Sequence, residues 1–113
     1  MSSVPLLFSE RMQQAILSGH KCCTTRRTKK AEPGDWFALD GETFRILDVQ
    51  VMPLWIVRDT LYRLEGCASS AEFECLWRAL HNGTFSALGP SWVHFFVRAP
   101  ASDEILEEDQ GGI

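Results

Sequence analysis

Residues 36–52, WFALDGETFRILDVQVM, carry the clearest local signal in this 113-residue chain. Two runs rich in aromatic and β-branched residues flank Asp40-Gly41. A two-residue Asp-Gly link between such runs predicts a tight antiparallel hairpin, because both link positions must accept positive φ. Beyond the turn, Phe44 and Ile46 alternate with polar neighbours, and Val49 and Val51 resume the alternation one residue out of step. That slip near Asp48 predicts a β-bulge.

Upstream of the hairpin, EPGD at 32–35 reads as a turn, with Pro33 pre-set in φ and Gly34 free to take positive φ. KCCTTR is rich in small and β-branched residues and is expected as a strand. Before it, Ser9 stands where an N-cap belongs, Met12, Ala15 and Ile16 recur at helical spacing, and Gly19 suits a left-handed C-cap. VPLLF at 4–8 is an apolar run expected as a first strand. Downstream, IVRDTLYRLEG predicts a short helix stopped by Gly66. SSAEFECLWRALHNG predicts a stronger one, with Phe73, Leu76, Trp77 and Leu80 as its apolar stripe and Gly83 closing it. WVHFFVRA is expected as the last strand. Five or six strands with two or three helices, joined by hairpins, predict an α+β domain on a mostly antiparallel sheet or small barrel.

The chain is long enough for one core, placed at residues 1–99, followed by an acidic segment, 100–113, expected to be a disordered tail. Five of the fifteen acids (Asp103, Glu104, Glu107, Glu108, Asp109) lie in that tail, so the net charge of −4 does not exclude a nucleic-acid partner. The body carries eleven bases against ten acids. No apolar stretch approaches the roughly 20 residues of a membrane span, and MSSVPLLFSE lacks the features of a signal peptide. Cys22, Cys23, Cys67 and Cys75 are read as reduced thiols of a cytoplasmic protein. There is no CxxC, and His20, His81 and His94 have no metal-like spacing to the cysteines, so no metal site and no cofactor is expected.

GHKCCTTRRTKK at 19–30 concentrates five of the eleven bases. Arg26, Arg27, Lys29 and Lys30 form a basic strip, which reads either as a solvated surface or as a phosphate-binding one. Trp36 and Trp55 are candidates for a base-stacking wall, with core packing as the alternative role for each.

The order of parts over residues 5–98 resembles the ASCH domain, a PUA-like β-barrel. The resemblance is carried by Gly19, Lys21, Thr24 and Arg26 within AILSGHKCCTTRR, by PGDWF, by SSAEF and by the closing strand. It implies a small, mostly antiparallel PUA-like barrel with two or three flanking helices. It also implies RNA binding or, in one branch, hydrolysis of the acetyl amide of acetylated cytidine. Carried over residue by residue, the catalytic groups of that branch fall on Lys21, Thr24 and Glu72. The chain departs from the pattern at Cys23 and Thr25, where branched aliphatics are usual, at His20, and in its acidic tail.

Strand alternation puts Cys22, Thr24 and Arg26 on one face and Cys23, Thr25 and Arg27 on the other. Lys21 and Thr24 therefore meet only if Lys21 lies in the turn after Gly19 and curls back. In that arrangement Lys21 would be the base for a Thr24 nucleophile, with Glu72 orienting water or the exocyclic nitrogen of a pyrimidine. Ser69-Ser70-Ala71-Glu72 also fits a capping box, which gives Glu72 a purely structural role, and Glu74 is the competing carboxylate. Three functions follow: an RNA or modified-nucleoside site with amidohydrolase activity, a non-catalytic RNA-binding module, and a protein-interaction domain that uses the acidic tail.

Overall fold

Asp40 and Gly41 take φ of 52° and 79°, and the hairpin closes around them. The computed structural model describes residues 1–99, so the acidic segment 100–113 lies outside the described residues. In chain order the elements are α1 (Glu10–Leu17), β1 (Cys23–Arg26), β2 (Trp36–Leu39), β3 (Glu42–Pro53), α2 (Leu54–Thr60), α3 (Ser70–Leu80) and β4 (Pro90–Arg98). The strands form one antiparallel sheet in the order β1-β4-β3-β2, curled into a half-barrel with the three helices around it. The expected α+β class holds, with four strands among the described residues where five or six were predicted.

The missing strand is VPLLF. Residues 4–8 are not a strand, and the N-terminal segment joins the sheet's ladder at a parallel bridge from Ser3 to Trp36. Pro5 has no N–H to donate, and the Leu6 N–H turns back to the Val4 carbonyl at 3.1 Å, so a ladder cannot continue. The bulge falls where the slip predicted it: Ile46 pairs with Phe96 and Asp48 with Phe95, leaving Leu47 as the extra, exposed residue. Phe44 and Ile46 are buried, Val49 is half-buried and Val51 is exposed.

Two apolar clusters form the core, on opposite faces of the sheet, since Val93 and Phe96 differ in parity along β4. One unites Cys23 and Val93 of the sheet with Leu54 and Val57 of α2 and Phe73 and Trp77 of α3. The other sets Ile16 of α1 against Phe37, Phe44, Ile46 and Phe96. Leu80, expected on the buried stripe, is 79% exposed at the end of α3. The helix expected over 56–66 begins at Leu54, directly after Pro53, and ends at Thr60. Its first N–H groups are taken by carbonyls of the 87–89 loop, and residues 61–66 follow as turns.

Candidate functional site: a cleft above a buried Lys21–Glu65 pair

Two turns bring the central residues of the site together. Gly19, at φ 86°, ends α1 in a Schellman motif: its N–H donates to the Ile16 carbonyl and the His20 N–H to that of Ala15. The chain therefore reverses immediately before Lys21. Far along the chain Gly66, at φ 91°, closes the turns after α2 and aligns Leu64-Glu65 with the start of β1. The Cys22 N–H donates to the Leu64 carbonyl at 2.8 Å, and Lys21 and Glu65 form an antiparallel bridge.

Lys21 and Glu65 are 5% and 4% exposed, so both charges have left water and each needs a partner. Lys21 Nζ donates to the Glu65 main-chain carbonyl at 2.9 Å and to Oε1 of its carboxylate at 3.1 Å. The other carboxylate oxygen, Oε2, accepts the Thr25 hydroxyl at 2.5 Å and the Cys23 thiol at 3.4 Å. Lys21, Cys23 and Thr25 thus share the face that strand parity assigns them, and all three point at one carboxylate. Burial, reinforced by the adjacent Glu65 carboxylate, holds the Cys23 thiol well above its ordinary pKa.

This cluster lies at the floor of a cleft of about 580 Å³, a size suited to a small organic ligand. Phe73, Leu76 and Trp77 of α3 and Met12 of α1 form an apolar wall. Opposite stand Thr24, Thr25 and Arg26 of β1, and Arg27 and Lys30 continue the rim. Arg26 lies over the Phe8 ring, 5.2 Å from its centroid, donates through Nε to Thr24 Oγ1 at 3.2 Å, and reaches the Leu7 carbonyl at 2.8 Å. Burial lowers the pKa of its guanidinium from the ordinary arginine value. Beneath the rim, the fully buried His94 ties β4 to the basic segment. Its Nε2 accepts from the Lys30 N–H at 3.0 Å, which leaves Nδ1–H to donate to the Thr24 carbonyl at 3.2 Å. Loss of hydration holds this imidazole below its ordinary pKa, in the neutral form that both bonds require.

The structure places Lys21 and Thr24 in this same cleft, bonded to different partners: Lys21 to Glu65, Thr24 to Arg26. Glu72 lies outside the cleft lining. Its Oε1 accepts the Ala68 N–H at 2.9 Å and an Arg11 N–H at 2.7 Å, while the Ser69 hydroxyl accepts the Glu72 N–H. The Ala68 bond, with help from Arg11, holds the Glu72 carboxyl below the usual carboxylate range. Glu72 is thus occupied as a helix cap. Glu74 is held between Arg58 and Arg78. Of the basic strip, Arg26, Arg27 and Lys30 reach the cleft, whereas Lys29 pairs with Glu32 at 2.6 Å. Trp36 and Trp55 are absent from the lining, and Trp77 takes the aromatic position. The carboxylate in the cleft is Glu65, which the sequence places at the end of the short helix expected before Gly66. Among the described residues, no three His, Cys, Asp or Glu side chains cluster as metal ligands, and no helix is long and apolar enough to cross a membrane.

No family model and no curated protein matches the sequence. Solved structures match the fold. An ASCH domain from Lactobacillus crispatus JV V101 superposes with a TM-score of 0.63 at 13% identity, over 86% of this chain and 79% of that one. The hypothetical protein PH0355 gives 0.63 at 13% identity, over 87% and 96%. A protein from Pyrococcus furiosus, solved in solution, gives 0.58 at 15% identity, over 88% and 96%. At such identities the likeness concerns the fold, and the fold is ASCH-like.

Proposed function

We propose that this chain binds a nucleoside, or an unpaired nucleotide of an RNA strand, in the cleft between β1 and α3. The observation that supports this reading is the combination within one cleft of an apolar wall (Phe73, Leu76, Trp77), a polar floor (Lys21, Thr25, Glu65) and a cationic rim (Arg26, Arg27, Lys30). A nucleobase has apolar faces and a hydrogen-bonding edge, and its phosphates carry charge; the three surfaces match those three parts. The test is titration of a labelled single-stranded RNA at several salt concentrations. Three rim cations give a log–log slope of about −2, at roughly −0.7 per phosphate contact. Arg27→Glu and Lys30→Glu should each weaken binding and flatten the slope. Absence of binding at low salt, for the oligonucleotide and for free nucleosides alike, refutes the reading.

The buried ion pair favours a second reading, in which the cleft hydrolyses the acyl amide of an acylated cytosine. A buried Lys–Glu pair is a poor way to stabilise a fold, since apolar residues of similar volume serve as well or better. Its position on a cleft floor beside the Thr25 hydroxyl suits acyl transfer, with Glu65 in the role expected of Glu72. The assay is release of cytidine from acetylcytidine: Glu65→Gln should abolish turnover and Glu72→Gln should leave it. Turnover that depends on Glu72, or no turnover by the wild type, excludes this assignment.

A further inference from the structure

We propose that residues 103–109 of this chain, DEILEED, dock in cis across the mouth of the cleft and compete there with an anionic ligand. The competition rests on the nucleotide reading above, whereas the docking does not. Two features of the mouth match this segment. The first is charge. Among the described residues no carboxylate pairs with Arg26, Arg27 or Lys30, whereas Arg11, Lys29, Arg58 and Arg78 each meet one within 2.8 Å. The second is apolar exposure. Leu7 and Leu80, both on the cleft lining, are 82% and 79% exposed. Leu7 adjoins the charged rim, because its carbonyl accepts from Arg26 at 2.8 Å. A surface that sets apolar groups beside uncompensated cations is complementary to an acidic segment with an apolar centre. DEILEED has that pattern: Asp103, Glu104, Glu107, Glu108 and Asp109 bracket Ile105-Leu106. The rest of the chain carries eleven bases against ten acids, so these five acids account for the net negative charge.

The reach follows from where the described residues end. The Ala99 N–H donates to the Thr43 carbonyl at 2.8 Å and Arg98 donates to that of Leu17 at 2.9 Å, so the segment leaves beside the end of α1. Antiparallel pairing sets Arg26 opposite Trp92, seven residues before Ala99, or roughly 23 Å away at about 3.3 Å per residue. Residues 103–109 lie four to ten positions beyond Ala99, which at roughly 3.3–3.6 Å each spans about 13–36 Å. Doubled back along the β1 edge, the acids therefore meet the rim. A tether on this scale gives an effective concentration of about 1 mM, so a segment that binds at about 0.1 mM when free fills the mouth about nine-tenths of the time. A ligand that shares the rim then binds about tenfold more weakly.

The experiment couples carboxylates to amines in the full chain with a zero-length carbodiimide at low protein concentration, and maps the linked peptides by mass spectrometry. The chain has three lysines, of which Lys21 is buried in its pair with Glu65, so Lys29, Lys30 and the Met1 amine are the acceptors. The Lys29–Glu32 pair, at 2.6 Å, is the internal positive control. The expected result is a link within one molecule from an acid of 103–109 to Lys30, at several times the yield to Met1 and lost in about 0.5 M salt. Ile105→Ser with Leu106→Ser keeps every charge and should lower that yield about fourfold or more. Links only between two molecules, equal yields to Met1 and Lys30, or a yield unchanged in the double variant would overturn the proposal. Titrating single-stranded RNA into the same two proteins separates the readings, with the double variant expected to bind several-fold, up to about tenfold, more tightly at low salt. If the link forms and neither protein binds RNA, the docking stands and the nucleotide reading falls. Equal RNA affinities overturn the competition, and RNA binding with no link keeps the nucleotide reading and removes the docking.

Discussion

Replacing Lys21 with Met tests whether the Lys21–Glu65 pair is a closed electrostatic unit. Met has nearly the volume of Lys and no charge, so Lys21→Met leaves the Glu65 carboxylate on the cleft floor with only the Thr25 and Cys23 donors. Both side chains are about 5% exposed, which leaves water little access for compensation. Breaking a buried pair from one side costs about 3–5 kcal/mol. For a domain of this size each kcal/mol lowers the melting temperature by roughly 4–8 °C, so the expected fall is roughly 12–40 °C. Glu65→Gln should cost a similar amount, because it strands the ammonium instead. The double variant, Lys21→Met with Glu65→Gln, strands neither charge, and its amide oxygen still accepts from Thr25; it should lie within about 1 kcal/mol of the wild type. Urea unfolding of the four proteins at one pH completes the cycle. Single losses below about 1 kcal/mol, or a double loss equal to the sum of the singles, would refute the reasoning and mean that the two charges are solvated separately.

Two further perturbations follow from the turns and the histidine that hold the cleft. His94 is kept neutral by burial in the folded chain, while the unfolded chain takes up a proton near pH 6.5. Its contribution to stability is therefore intact above pH 6.5 and lost as pH falls below it, with a slope of up to about 1.4 kcal/mol per unit; His94→Gln should remove that slope, and an unchanged slope in urea unfolding across pH 5–7.5 contradicts the assignment. Gly66→Ala puts a side chain at φ 91° with its Cβ 3.2 Å from the Cβ atoms of both Ala15 and Lys21, so a loss of about 2 kcal/mol is expected and a loss under about 0.5 kcal/mol means the turn re-forms without strain.

The legible parts of the fold are those whose cause is local. Asp40-Gly41, Pro33-Gly34 and Gly19 each punctuate the chain through their own backbone freedom, and each turn stands where the residues put it. The bulge was legible because an extra residue changes the parity of an alternating strand. VPLLF misled because its apolarity serves another purpose: Val4, Leu6 and Phe8 pack on the second core cluster from an irregular segment. The helix expected over 56–66 misled similarly. Its apolar spacing continues past Thr60, but Leu61 and Tyr62 pack on the core from turns instead.

The site divides along the same line. Lys21 and Thr24 were legible as cleft residues, and strand parity even predicted that they would face opposite sides. Glu72 attracted the carboxylate role because it sits in a recognisable motif, yet the Ala68 N–H and Arg11 already occupy its carboxylate. A carboxylate with a complete local role is a weak candidate for a distant one. Other acids of the body are occupied in the same way: Asp40 in a turn, Glu32 three residues from Lys29, Glu74 four residues before Arg78. Glu65 has no cap to fill and no base at helical spacing, and it precedes a glycine that ends a run of apolar residues. Lys21, at the start of a buried strand, needs a partner that its own neighbours do not supply. An acid without local work and a base without local compensation are complementary, and the pairing spans 44 residues of sequence that no local pattern can bridge.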